Sequence, residues 1–406
     1  MSSNPSGVGI HVFAGGFTRG MRQVLPVVGQ LEIHNFGRPS VEAIGLPFMN
    51  SDKWENWNDY KSVWENCSFC YGNPRCTAFS SYSAGHSEEV RGPRAKPVQD
   101  IWDLCRFGVK QGLEIIAFES VQQAYSVGKV TLNCIRKELF EPNHYRIAHI
   151  FVNTAAEGNA QCRRRYFHVA YKDNRNFNVY LPKLPKHRVT VGDALKHPYL
   201  SDMVLNEQSI TGLKHFDTYD KGTYKVLSPD EKAILPLMIE GDSIQSMCQR
   251  EEDRGDGRLA KVSEKMSDIW TNRRSAVPFS LHSIRRIKDY YTCPTICSTS
   301  GNFLHPTEDR PLTVGELSIL MGWDEIPCGC DPIAQIGKGV VPSTGKWLGE
   351  QIKAYFNNDW SNEDFESEWD NTNKEFVGTD FTKSQSRPLE KTFNLTWFIP
   401  PFKEIA

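Results

Sequence analysis

The chain has 406 residues, 39% of them hydrophobic, enough apolar material for one large domain and a smaller one. Its 47 Lys plus Arg against 49 Asp plus Glu give a formal net charge of -2, so any nucleic-acid contact must use a local basic patch rather than a global excess. No apolar run approaches the ~18 residues of a membrane-spanning helix, and the opening MSSNPSGVGIHVF has neither the charged leader nor the long apolar core of a secretory signal.

In chain order, Val8 to Phe13 reads as a first strand, Gly20 to Leu25 as the start of a helix, and Gln30 to His34 as a second strand. Ser68 to Gly72 is a further strand. Pro97 to Gln111 has helical spacing, with Val98, Ile101, Trp102, Leu104, Cys105 and Val109 apolar. A strand is expected at Leu113 to Phe118, a helix near Val121 to Leu139, and strands at Ala148 to Val152 and Tyr166 to Ala170. Strands separated by helices predict a largely parallel sheet covered on both faces. Residues 172 to 291 break this pattern, being charged, turn-rich and weakly periodic, and read as a smaller lobe. Helices are expected at Leu312 to Trp323 and Gly345 to Phe356, so that residues 292 to 356 return to the domain begun by residues 1 to 171. Residues 357 to 406 form an acidic extension, polar enough to stay partly unpacked, although Trp360, Trp369, Phe376 and Trp397 argue for some packing.

The eleven cysteines are scattered, and with no export signal they read as free thiols in a reducing compartment. Cys67 with Cys70 and Cys328 with Cys330 have spacings open to zinc or redox chemistry. The apolar run around Cys67 and Cys70 favours buried thiols, and no metal is expected.

Four segments carry residue types suited to chemistry. FAGGFTRG, at Phe13 to Gly20, places glycines at a strand-to-helix turn where backbone can approach a ligand, and Glu32 at the end of the next strand suits ribose hydroxyls. In GNPRCTAFS, Cys76 follows a strand in a Gly- and Pro-bearing loop, with Arg75 beside it to favour the thiolate. Glu119 ends an apolar strand in FESV, where burial would raise its pKa. In QCRRRYF, alternation along an extended chain would set Arg163 and Arg165 on one face with Gln161, suited to a phosphate or a polar base edge. Taken singly, each also fits a plain turn, a loop cysteine, a helix cap or a solvated arginine run.

Together these segments resemble the ordered motifs of the DNA (cytosine-5) methyltransferases. FAGGFTRG is similar to FxGxGGFxxG, GNPRCTAFS to GGPPCQxFS, FESV to ENV and GNAQCRRR to GxPQxRxR. RPLTVGELSILMGW is similar to RxLTxRExxRLQGF, and QIGKGVVP to QxGNAVxP. The resemblance covers roughly residues 8 to 172 and 292 to 356 and implies an α/β, Rossmann-like S-adenosylmethionine-dependent methyltransferase fold. The smaller target-recognition lobe would be residues 172 to 291. It implies a nucleophilic Cys76 that attacks C6 of a cytosine flipped out of double-stranded DNA. Glu119 would act at N3 and the amino group, and Arg163 and Arg165 would steady the base and its phosphate. Phe13, Ala14, Gly15, Gly16, Phe17 and Glu32 would hold the cofactor, with Lys338 close to it. The implied protein is a monomeric, DNA-associated enzyme of the cytoplasm, or of a host-cell cytoplasm if viral.

The chain departs from the patterns at defined places. The first loop is two residues short, and Arg75, Thr77, Ser120, Gly315 and Lys338 stand where the patterns have Pro, Gln, Asn, Arg and Asn. These changes gather on the cofactor and base pockets, while Cys76, Glu119, Arg163 and Arg165 are kept. A lysine beside a sulfonium is unfavourable unless an anion lies between them. Lys338 therefore points to carboxy-S-adenosylmethionine as donor and 5-carboxymethylcytosine as product, with ordinary S-adenosylmethionine as the alternative. An inert DNA-binding homologue and an RNA-directed enzyme are the other readings.

Overall fold

The computed structural model describes residues 5–50, 54–79, 92–172, 189–197, 216–219, 222–227, 229–244, 284–298, 300–327, 331–358 and 390–395, together with a few isolated positions. Seven strands build the main sheet: β1 (Gly7–Ile10), β2 (Val27–Glu32), β3 (Phe48–Asn50), β4 (Phe69–Gly72), β5 (Ile115–Val121), β6 (Tyr145–Asn153) and β7 (Arg164–Lys172). A further strand, Glu390–Leu395, pairs parallel to β6. From that edge the order is Glu390–Leu395, β6, β7, β5, β4, β1, β2, β3. β1 pairs in parallel with both β2 and β4, so the chain leaves it first to one side and later to the other. That reversal is the topological switch at which open α/β sheets bind ligands, outside the carboxyl ends of the strands. β7 runs antiparallel between β5 and β6, which makes the sheet mixed, as in the expected Rossmann-like class.

Alternation along β5 explains the two covered faces. Ile116 and Phe118 pack into one core with Trp102 and Leu104 from helix α2 (Gln99–Lys110). Ile115 and Ala117 enter the other, with Phe17 from helix α1 (Gly16–Arg22) and Trp347 and Leu348 from a late helix, Pro342–Asn357. That late helix returns the chain to the first domain. It lies so close to α1 that a Cβ on Gly20 would stand 1.9 Å from the Pro342 carbonyl oxygen, and one on Gly345 would stand 2.5 Å from that of Phe17. Glycine at both positions is what permits the approach.

Several element boundaries differ from expectation. The first strand stops at Ile10 because His11 and Phe13 adopt positive φ, 56° and 57°, turning the chain into the loop. The first helix starts earlier, at Gly16. The expected helix near 121 to 139 is broken into Gln123–Ser126, Lys129–Ile135 and a wider turn over Arg136–Phe140. Leu312 to Trp323 shortens to helix α3 (Val314–Leu320), which Thr313 and Glu316 cap reciprocally, and Arg310 grips Glu316 through two 2.8 Å bonds. Arg, Thr and Glu of RPLTVGE thus serve the entry to this helix.

Within the expected lobe, 172 to 291, the described parts include helix Val191–Leu195, a hairpin of Phe216–Tyr219 with Gly222–Lys225, and helix Pro229–Ile234. Leu227, Ile234, Leu235, Met238, Ile244, Met247 and Ile284 join Leu304 in a core of their own. Cys67 and Cys70 are free thiols raised by burial, Cys67 to about 11, and the structure forms no disulfide between them. Cys328, Cys330 and residues 359–389 lie outside the described residues. Among the described residues, no helix is long and apolar enough to cross a membrane.

Candidate functional site

The sheet brings four sequence-predicted positions to one edge. Gly15 follows β1, Glu32 ends β2, Cys76 follows β4, and Glu119 lies near the end of β5. Antiparallel β7 sets Arg165 opposite Val121 and Phe167 opposite Glu119, so Arg165 reaches Glu119 diagonally across the pair. Its Nε lies 2.6 Å from Glu119 Oε1, and the carboxylate is buried. Burial pushes the Glu119 carboxyl up, and Arg165 and Arg163 oppose that shift. Burial likewise raises the Cys76 thiol. The charges acting on it are Arg165 and Arg163, which favour the thiolate, and Glu119, which disfavours it. Cys76, Glu119, Arg163 and Arg165 are therefore one electrostatic unit, drawn from a loop and two strands.

Arg75 does not play the part expected of it. Its guanidinium grips Asp100 in α2 through Nε to Oδ2 at 2.5 Å and Nη2 to Oδ1 at 2.9 Å. The pair ties the Cys76 loop to the helix behind it, and Arg75 is not among the charges that move Cys76. The cations that favour the Cys76 thiolate come from the far arginine motif instead.

Arg163 and Arg165 also separate in role. Arg163 precedes β7 and is buried. Its Nη1 donates to the Ile296 carbonyl at 2.7 Å, and its Nη2 to those of Gly337 at 3.2 Å and Gly339 at 2.9 Å. Burial, with Arg165 nearby, pulls it down to about 9, which leaves it charged at neutral pH. Gln161 packs in the same seam, with its Oε1 accepting from the Ile296 N–H at 2.8 Å. The arginine motif thus fastens the late part of the chain onto the site.

On the other side of the edge lies the first loop. Gly15, at φ 82°, caps α1 in the left-handed region that suits glycine. Ala14, Gly16 and Phe17 are buried, and a Cβ on Gly16 would collide with the Val340 carbonyl oxygen and the Trp323 ring. Glu32 Oε1 accepts from the N–H groups of Val12 at 2.5 Å and Phe13 at 3.0 Å and from Gln30 Nε2 at 3.0 Å. Burial raises this carboxyl to about 8, against the pull of those three donors. One oxygen therefore shapes the loop, while the other accepts from none of the described residues. His11 Nε2, in the same loop, is buried without a hydrogen-bond partner. A glycine turn, an uncommitted carboxyl oxygen and an orphaned ring nitrogen fit a nucleoside-bearing cofactor at this end.

Lys338 is exposed and ends a second late helix, α4 (Pro332–Lys338), which the sequence reading missed although Asp331 caps it and Pro332 opens it. Its carbonyl accepts a 2.8 Å bond from Nδ2 of Asn73, a buried residue of the Cys76 loop. Asn73 was also missed. The signal was present in GNPRC, where it replaces the second glycine of GGPPC.

A family model described as C-5 cytosine-specific DNA methylase matches residues 54–354. Among solved structures, the chain is similar to a protein described as a DNA modification methyltransferase encoded within an Escherichia coli prophage. The TM-score is 0.56 at 19% identity, over 87% of this chain and 99% of that one. It is also similar to a methyltransferase of Entamoeba histolytica, with a TM-score of 0.55 at 10% identity over 89% of this chain and 100% of that one. No curated protein matches the sequence.

Proposed function

The chain belongs to the C-5 cytosine-specific DNA methylase family, and from that premise we propose that it modifies C5 of a flipped cytosine in double-stranded DNA through a covalent Cys76 adduct, with carboxy-S-adenosylmethionine as donor. The observation that carries the reading is the coupled cluster of Cys76, Glu119 and Arg165 at the switch-point edge.

The residues divide the work. The Cys76 thiolate forms a bond to C6, and the electron pair displaced from the C5–C6 double bond makes C5 nucleophilic. Glu119, its carboxyl raised by burial, supplies a proton at N3 as that charge develops. Arg165 holds Glu119 and stabilises the thiolate. The bound sulfonium cofactor supplies the electrophilic carbon that C5 attacks. Loss of the C5 proton to solvent and return of the N3 proton to Glu119 then let the S–C6 bond break, which restores both the ring and the Cys76 thiolate. Phe13 to Phe17 and Glu32 hold the cofactor, and Lys338 meets the carboxylate of the transferred group by a charge-assisted hydrogen bond. Arg285 and Tyr290 are exposed, and their side chains suit phosphate and base contacts.

Two measurements test this. Duplex DNA containing 5-fluorocytosine should trap wild-type protein covalently, whereas an inert DNA-binding homologue leaves no adduct. Equal concentrations of the two donors, with nucleosides read by mass spectrometry, should yield an excess of 5-carboxymethylcytosine. Lys338→Asn should lose much of that preference. Equal or better use of S-adenosylmethionine by wild type overturns the carboxylated donor and leaves 5-methylcytosine as the product. Preferential modification of structured RNA overturns DNA as the substrate.

A further inference from the structure

Three consecutive main-chain carbonyls, those of Gly337, Lys338 and Gly339, accept hydrogen bonds from side chains of the reacting loops. Arg163 takes the outer two and Asn73 the middle one. The glycines on either side of Lys338 are squeezed. A Cβ on Gly337 would stand 2.1 Å from the Cys297 carbonyl carbon, and one on Gly339 would stand 3.1 Å from the Trp323 ring. The backbone that carries Lys338 is thus gripped from several directions, while its side chain is exposed.

Set beside the motif patterns, two departures meet at this one bond. The nucleophile loop has Asn73 where GGPPC has glycine, and the late segment has Lys338 where QxGNAVxP has asparagine. Glycine has no side chain to reach across, so the contact exists only because of the first exchange. The second exchange replaces a short amide by an ammonium on a flexible four-carbon stem. Such a stem selects a ligand only if its root is fixed, because side-chain freedom otherwise spreads the charge over many positions.

We infer that Asn73 is a positioning residue, which fixes the Lys338 backbone against the nucleophile loop and thereby sets how strongly the site discriminates between donors. It acts through Lys338. The inference rests on the reading of Lys338 as the donor-selecting residue.

The test compares wild type, Asn73→Ala, Lys338→Asn and the double variant, with Asn73→Ser as a rescue that keeps a donor. Two readouts are taken on the full chain. Hydrogen exchange by mass spectrometry over 336–341 reports the anchoring itself. Competition between carboxylated and plain S-adenosylmethionine reports donor selectivity. Asn73→Ala should speed exchange in that segment without speeding it along β5 and β6, and should lower selectivity roughly fivefold, the worth of one partly buried hydrogen bond. Asn73→Ser should recover part of both. The double variant should be no less selective than Lys338→Asn alone, because both changes act through one side chain. Unchanged exchange over 336–341 in Asn73→Ala overturns the inference, as does a selectivity loss that adds to that of Lys338→Asn. A wild type that shows no donor preference defeats the reading of Lys338 instead, and the exchange measurement then decides alone whether Asn73 holds the segment.

Discussion

The two halves of the sheet's carboxyl edge bury their carboxyl groups in opposite ways. Glu119 is matched with arginine, one guanidinium at 2.6 Å and a second acting through space. Among the described residues no cation acts on Glu32, which is held by three N–H donors on one oxygen and rises to about 8. Glu157 follows Glu32. Hydroxyls of Ser343 and Thr344 bond its Oε2, Oε1 is buried without a partner, and its carboxyl also rises to about 8. Arginine accompanies the carboxyl at Glu119, whereas at Glu32 and Glu157 the carboxyl serves as a neutral acceptor. A buried carboxylate without a cation is costly, so the second kind keeps its proton.

The sharpest way to break that comparison is to remove the group that the arginines serve. Cys76→Ala should abolish nucleoside product and covalent trapping while duplex binding, dominated by phosphate contacts, stays within a few-fold and keeps its salt dependence. Product above a no-enzyme control would remove Cys76 from the role. Glu119→Gln should lose ~10²–10⁴-fold in rate, the usual worth of a placed acid. If Glu119→Gln and Glu32→Gln lose equally, the distinction between the two halves fails.

Arg165→Gln should have the next largest effect. Removing a charge-assisted partner costs about 1.5–3 kcal/mol, or roughly ten- to a hundredfold in rate. The same change should slow iodoacetamide alkylation of Cys76, measured on its peptide, because the thiolate loses the cation that most favours it. Arg75→Gln should leave alkylation unaltered, since Arg75 spends its guanidinium on Asp100. A larger effect at Arg75 than at Arg165 would restore the neighbour in sequence as the activating cation.

That contrast marks what the sequence could reveal. The strand-helix alternation, the glycine turn after β1 and the placement of Cys76 and Glu119 at strand ends are local signals, and they were legible. β3 was missed because its three residues are too few to show a period. Arg75 was misread because its partner lies 25 residues away in a helix. Arg163 was grouped with Arg165 by alternation, but it donates to carbonyls 133 to 176 residues away, contacts that no local pattern announces. The carboxyl at Glu32 was placed correctly at the end of β2. Its hold on the backbone N–H groups of Val12 and Phe13 depends on positive φ at His11 and Phe13, which residues outside glycine seldom signal.

The smallest expected effect concerns the neutral carboxyls themselves. Glu32 and Glu157 have folded-state values of about 8 against 4.5 for the free side chain. Between those values the unfolded chain has lost its protons and the folded chain has kept them. Stability that is fully present below about pH 4.5 is therefore lost as pH rises through about 8, and it levels off above that. Wild-type Tm should fall between pH 6 and 8.5 by a few degrees. Glu32→Gln keeps the carbonyl oxygen that Val12 and Phe13 address while removing the titration, so it should flatten the fall without lowering Tm at pH 6. Glu157→Gln should flatten it by a similar amount, its carboxyl being raised to the same value of about 8. Glu119→Gln should flatten it least, because two arginines oppose the burial that raises its carboxyl. A slope carried by Glu119 rather than by Glu32 would mean that the cations and the neutral carboxyls have been assigned to the wrong halves of the edge.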